Sequence, residues 1–200
     1  MSAGREERVG WRLTPKPPGT NNDWSTTDCC AEALTRFVLP PLLPGRIWEC
    51  APSPNQDDFL GDAMRAAGRE VVTTYTDFLT TAVPAGVRLL ATNPPFDAMS
   101  KFIERALFLL DAGALDAVVF LFRSDHTYAE SDDLPRIRLA ALNRSAAQFF
   151  CAWRPRWVRG SKGNGHFSAA WIVWLRPGVA GPHGPVWLRR RRDGRIEVAV

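Results

Sequence analysis

The segment at residues 115–122, LDAVVFLF, narrows the fold of this chain more than any other. Seven of its eight residues are apolar, and they fall at both odd and even positions. Side chains alternate across a strand, so such a run must be covered on both faces. It is also too short to cross a membrane as a helix. It therefore reads as a central strand of a parallel sheet, with helices above and below. The flanking sequence agrees. Residues 46–50 (RIWEC), 70–74 (EVVTT) and 87–92 (VRLLAT) are strand candidates. Three helices are predicted between and around them. One covers 29–39, N-capped by Asp28 and stopped by Pro40-Pro41. One covers 57–67, acidic at its start and ended by Gly68. One covers 97–110, capped by Asp97, with Phe102, Ala106, Leu109 and Leu110 as its apolar stripe. Alternation at this spacing predicts an α/β fold: a doubly wound, mostly parallel sheet with helices on both faces.

The last third changes character. Residues 148–153 (QFFCAW) and 169–175 (AAWIVWL) are expected to pair antiparallel at the C-terminal edge of the sheet. Asp193-Gly194 is a hairpin turn candidate between 186–191 and 195–198. Residues 1–22, rich in Pro, Gly and charge, are expected to form a flexible arm. The folded domain then occupies 23–178, and 179–200 is a basic C-terminal tail or hairpin.

Charge is divided unevenly along the chain. Residues 151–200 hold ten Lys and Arg against Asp193 and Glu197, a net of +8, while the rest carries fifteen against nineteen, a net of −4. A basic quarter on an acidic body predicts a polyanion contact, and nucleic acid is the polyanion whose phosphates gain most from clustered Arg. No stretch of 18 apolar residues and no signal-peptide core occurs, so a cytoplasmic protein without a membrane contact is expected. Cys29, Cys30, Cys50 and Cys151 form no CxxC pair, and His126, His166 and His183 have no ligand spacing, so no metal site is predicted.

Asn93-Pro94-Pro95-Phe96 is the tetrapeptide with the most chemistry in it. It follows an apolar strand directly and precedes a helix. Two prolines enforce an extended turn there. Ligands of open α/β sheets bind at the carboxyl ends of strands, where this turn falls. An amide oxygen beside a backbone carbonyl is a paired acceptor for an amino group, and Phe96 supplies a stacking face for a planar base.

The tetrapeptide resembles the Asn/Asp-Pro-Pro-Tyr/Phe motif of amino-methyltransferases that use S-adenosylmethionine, in particular phage-type adenine-N6 DNA methyltransferases. Asp23-Trp24-Ser25-Thr26-Thr27 resembles that family's segment for the methionine part of the cofactor. Ile47-Trp48-Glu49-Cys50-Ala51 is similar to its cofactor-binding opening, and Asp77-Phe78-Leu79 to the acidic-aromatic turn after its second strand. Lys101-Phe102-Ile103-Glu104-Arg105-Ala106 is similar to its helix after the catalytic motif. Arg154-Pro155-Arg156-Trp157 and Ala170-Trp171-Ile172-Val173-Trp174 resemble its closing strands. The likeness spans residues 23–176.

The resemblance implies a Rossmann-like methyltransferase fold and transfer of a methyl group from S-adenosylmethionine to the N6 amine of adenine in DNA. Asn93, Pro94, Pro95 and Phe96 would be catalytic. Trp24, Thr26, Glu49, Ala51, Ser53, Asp77, Phe78 and Asn93 would contact the cofactor. The sheet end and the basic quarter would bind DNA through Arg123, Ser124, Arg156, Arg159, Lys162, Arg189, Arg190, Arg191 and Arg192. Low intrinsic sequence specificity is expected, with a homodimer or a specificity-conferring partner subunit both open.

One stretch departs from the family. Residues 49–56 (ECAPSPNQ) contain no glycine where the family has a glycine-rich turn, and Pro52 and Pro54 fix φ and remove N–H donors. Two readings follow: cofactor binding in a rearranged loop, or a catalytically silent methyltransferase-like protein that binds nucleic acid or acts as a decoy.

Overall fold

A computed structural model of the chain describes residues 26–42, 44–52, 58–123, 135–155 and 168–199. They build one eight-stranded sheet in the order β2-β1-β3-β4-β6-β5-β7-β8. The strands are β1 (Arg46–Glu49), β2 (Val71–Thr73), β3 (Val87–Thr92), β4 (Ala117–Arg123), β5 (Ala147–Cys151), β6 (Ala169–Leu175), β7 (Gly184–Arg190) and β8 (Ile196–Val198). The helices are α1 (Asp28–Ala33, continued as a π turn over Leu34–Val38), α2 (Phe59–Ala66), α3 (Met99–Asp111) and α4 (Pro135–Arg144).

β1, β2, β3 and β4 are mutually parallel, β6 runs antiparallel between β4 and β5, and β7 is parallel to β5. The fold is thus a doubly wound, mostly parallel α/β sheet of Rossmann-like type, with antiparallel pairing towards its C-terminal side.

The alternation read from sequence sorts the core into two layers. Ile47, Leu89, Ala91, Val119, Leu121, Phe149, Trp171 and Val173 face α1 and α2. Trp48, Leu90, Val118, Phe120, Phe122, Ile172 and Trp174 face α3 and α4. Val118, Val119, Phe120, Leu121 and Phe122 are all fully buried, as their two-sided apolar run requires. The stripe of α3 is buried as predicted and includes Met99 and Ile103.

Several details differ from expectation. Asp28 lies inside α1; the cap position is Thr27, whose carbonyl receives the Cys30 and Ala31 N–H groups. Asp97 is exposed and does not cap α3, which starts after Ala98. Here the Pro95 carbonyl takes the Ala98 N–H at 3.0 Å, so the turn itself leads into the helix. β6 is interior to the sheet, not at its edge, because β5 and the β7–β8 pair add outside it. β4 accordingly has one parallel and one antiparallel neighbour. α4 was not anticipated from the sequence.

α2 ends as predicted: Gly68 takes φ +79°, and the next N–H, of Arg69, reaches the Met64 carbonyl at 3.0 Å. The hairpin at Asp193-Gly194 is present, with Gly194 at φ +88° and β7 pairing antiparallel with β8. At the amino ends of β3 and β4 Asp116 accepts from Arg88 and Arg176, fastening β3, β4 and β6 together. No helix among the described residues is long and apolar enough to cross a membrane.

Candidate active site at the carboxyl edge of the sheet

Because β1, β2, β3 and β4 are parallel, their carboxyl ends open on one edge of the sheet. The residues that end them are Glu49, Thr73, Thr92 with Asn93, and Arg123. Neighbouring strands lie about 4.8 Å apart, so Glu49, Asn93 and Arg123 occupy three adjacent positions along this edge.

Glu49 is buried, with 1% exposure. Its Oε1 accepts the Ala51 N–H at 2.9 Å and the hydroxyl of Thr92, itself fully buried. Burial pushes the carboxyl up to about 8, from an ordinary 4.5, even though both donors favour the charged form. Thr92 was missed in the sequence because it closes an apolar strand and carries no motif signal. Register explains the contact: Trp48 pairs with Leu90, which brings the next residues of β1 beside the end of β3.

Asp58 is the N-cap of α2 and accepts from Gly61 N at 3.1 Å. It also accepts from the Thr73 hydroxyl and lies 3.0 Å from Arg65. The α2 N-terminus thus carries its own carboxylate. Asp57 and the rest of 53–57 lie outside the described residues.

Asp77 follows β2. Its Oδ1 takes the Leu79 N–H at 3.0 Å, and its carbonyl takes those of Thr80 and Thr81, closing a tight turn. The ring of Phe78 is 1% exposed, stacked on Phe102 at 4.7 Å and tilted against Trp48 at 5.4 Å. Phe78 is therefore a core side chain that anchors the Asp77 turn.

Beyond β3, Asn93 is half-buried, Pro94 is buried, and Phe96 packs against both core layers. The Arg123 guanidinium sits 5.6 Å from the centroid of the Phe96 ring, in cation–π range. Arg123 thus stands beside the tetrapeptide at the same end of the sheet. Thr26 is buried just before α1. Trp153 Nε1 and Trp171 Nε1 tie the first turn of that helix to this side of the sheet, donating to Cys29 Sγ at 3.1 Å and to the Cys30 carbonyl at 3.0 Å.

β5 and β7 point the same way as β3, so the arginines at the end of β7 share this edge. They stand four strands from β3, roughly 19 Å away at the usual spacing. Arg189 and Arg191 both donate through Nε to Glu197. Trp24, Ser53, Ser124, Arg156, Arg159 and Lys162 lie outside the described residues. Among the described residues no group of three His, Cys, Asp or Glu is placed to hold a metal, and the four cysteines are unbridged.

Fold and site together define an open α/β protein whose carboxyl edge carries a buried acid on β1 and a half-buried amide and aromatic ring just after β3. Several solved structures are similar to it, three of which follow. A 23S rRNA methyltransferase, ErmE, aligns with 15% identity and a TM-score of 0.42, over 75% of this chain and 68% of that one. A dimethyladenosine transferase from Plasmodium falciparum aligns with 10% identity and a TM-score of 0.42, over 74% of this chain and 60% of that one. The type IIG restriction endonuclease BpuSI aligns with 10% identity and a TM-score of 0.45, over 81% of this chain but 25% of that one. No family model and no curated protein matches the chain.

Proposed function

We propose that this protein transfers a methyl group from S-adenosylmethionine to the N6 amine of adenine in DNA. One observation carries the reading: Asn93-Pro94-Pro95-Phe96 leaves the carboxyl end of β3 directly beside the buried carboxyl of Glu49. An amino-group acceptor and a buried acid are thereby on neighbouring strand ends.

The donor set suits such a cofactor. A dinucleotide would bring its pyrophosphate to a helix N-terminus, but at α2 that place is taken by Asp58. Asp58 and Asp77 make this part of the edge acidic, joined by the Glu49 carboxylate only as pH rises towards 8, which favours a cationic ligand without phosphates. S-adenosylmethionine has that chemistry, and when bound it supplies an electrophilic methyl group. Glu49 and Asp77 would hold its polar groups, with Ala51, Ser53, Trp24 and Thr26 lining the rest. Phe78 supports the Asp77 turn from within the core.

For the acceptor, Asn93 Oδ1 and the Pro94 carbonyl receive the two N–H groups of the exocyclic amine and so aim its lone pair. Phe96 stacks on the base, steadied from its side by Arg123. The base must be extruded from a duplex or arrive unpaired. Rate acceleration then comes from orientation.

Calorimetric titration with S-adenosylmethionine and S-adenosylhomocysteine, paired with a methyl-transfer assay on adenine-containing oligonucleotides, tests this. Micromolar cofactor binding is expected. Asn93→Ala should spare nucleic-acid binding and lose transfer by at least about 100-fold. Absence of cofactor binding, with and without DNA, refutes the reading.

A further inference from the structure

On the side of the sheet covered by α3 and α4, the helices stop short of the last strands. Trp174 Nε1 still donates to the Ala141 carbonyl of α4 at 2.7 Å, so β6 is covered. Phe150 of β5 is only half-buried, and Trp187 of β7 is 53% exposed. The two rings stack at 4.6 Å with 23° between their planes. Alternation puts Trp187, Arg189 and Arg191 on the same side of the β7 line. Glu197 faces Arg189 from β8 and accepts from the Nε of both arginines. Both arginine side chains stay about half exposed. The hairpin also carries Arg190, Arg192 and Arg195, against Asp193 and Glu197 alone.

We infer that this face, which no helix among the described residues covers, is a binding platform for a single strand of DNA, with an unpaired base stacked on Trp187 and the flanking phosphates met by Arg189 and Arg191. A tryptophan left outward on a sheet, already backed by a second ring, offers a rigid flat surface at no cost in side-chain freedom. Any base can stack on it. Glu197 keeps the two like charges from splaying apart while leaving the pair net positive, the charge a phosphate backbone complements. The arginines end on the same edge of the sheet as Asn93, roughly 19 Å away. That distance is about six nucleotides of stacked strand at 3.4 Å each. A strand lying along the edge can therefore hold the platform while one of its adenines reaches Phe96. The inference rests on the nucleic-acid substrate proposed above and adds where the strand is gripped.

The test is fluorescence anisotropy of the full chain with a labelled 12-nucleotide single-stranded DNA, without cofactor, across a salt series. Trp187→Leu should weaken binding by about 5- to 150-fold, the range for loss of one stacked base, with the salt slope unchanged. Trp187→Phe should retain most of the affinity. Arg191→Gln should reduce the salt slope by about 0.7, one single-strand phosphate contact. A Trp187→Leu variant that melts like the parent and binds the strand equally well overturns the platform. So does Trp187-dependent binding confined to RNA of the same sequence. Cofactor titration separates this inference from the enzyme reading. Trp187-dependent DNA binding in a protein that ignores S-adenosylmethionine leaves the platform standing alone. Methyl transfer indifferent to Trp187 leaves the enzyme alone.

Discussion

Glu49 shows what a single residue can and cannot reveal before folding. The resemblance of residues 47–51 to a cofactor-binding opening marked it as a ligand residue, but its partner, Thr92, is 43 positions away and inside a run that reads only as strand. Burial is what gives the carboxyl its character, and burial is a property of the assembled sheet. Since Glu49 is raised to about 8 when folded and titrates near 4.5 when unfolded, the native state binds the extra proton between those values. Stability contributed by this group is therefore greatest at low pH and falls as pH rises from about 4.5 to 8. The charged form costs on the order of a few kcal/mol at pH 8 and above. Glu49→Gln keeps an oxygen for Ala51 and Thr92 and removes that cost. It is expected to melt several degrees above the parent at pH 8.5 and at the same temperature near pH 4.5, measured by calorimetry across pH. A variant curve that follows the parent at every pH would contradict the buried-acid account. If the carboxylate also binds the cofactor, parental affinity should climb with pH until about 8 and level off. The glutamine variant should show no such climb.

At the scale of elements, the periodicities that depend on one face of one segment were legible. The stripe of α3, the two-sided run of β4 and the glycine stop of α2 all follow from local pattern. Features set by neighbours were not. β6 reads as an edge strand until β5 and β7 are known to pair beyond it, and the cap of α3 is decided by the Pro95 turn, not by Asp97. α2 offers the sharpest test of how its start is built. Gly61 lies in its first turn, where alanine would ordinarily add up to about 1 kcal/mol of helix propensity. Here a Cβ at Gly61 would lie 2.2 Å from Asp58 Oδ2, so the carboxylate has to leave. Its bonds to Gly61 N, Thr73 and Arg65 would be disturbed together. Loss of an N-cap alone costs about 1 kcal/mol, and a displaced, nearly buried carboxylate adds to it. Gly61→Ala is expected to destabilise by about 1–2 kcal/mol in urea denaturation. A stabilised variant would show that Asp58 is free to move. Asp58→Asn, which keeps the capping oxygen, should cost less.

Across the whole molecule, one edge of the sheet is acidic at one end and basic at the other. Glu49, Asp58 and Asp77 gather around β1 and β2, while the arginines of β7 and β8 lie past β5. The charge split was legible as a sum over the two parts of the chain. Its placement was not, because it depends on β5 and β7 both pointing the same way as β3. The two ends also differ in depth: Glu49 is buried, whereas Arg189 and Arg191 are about half exposed. Salt screens exposed charges far more than buried ones, so ionic strength should separate the two binding events. With two phosphates met by Arg189 and Arg191, single-strand affinity is expected to fall about 7-fold between 50 and 200 mM salt, following a slope near −1.4. Affinity for S-adenosylmethionine should change less than about twofold over the same range if its contacts include the buried Glu49, as proposed. Both are measured on the same preparation by titration at four salt concentrations. A cofactor affinity that collapses in parallel with the DNA would mean the ligand binds at the exposed surface, and would move the cofactor away from Glu49.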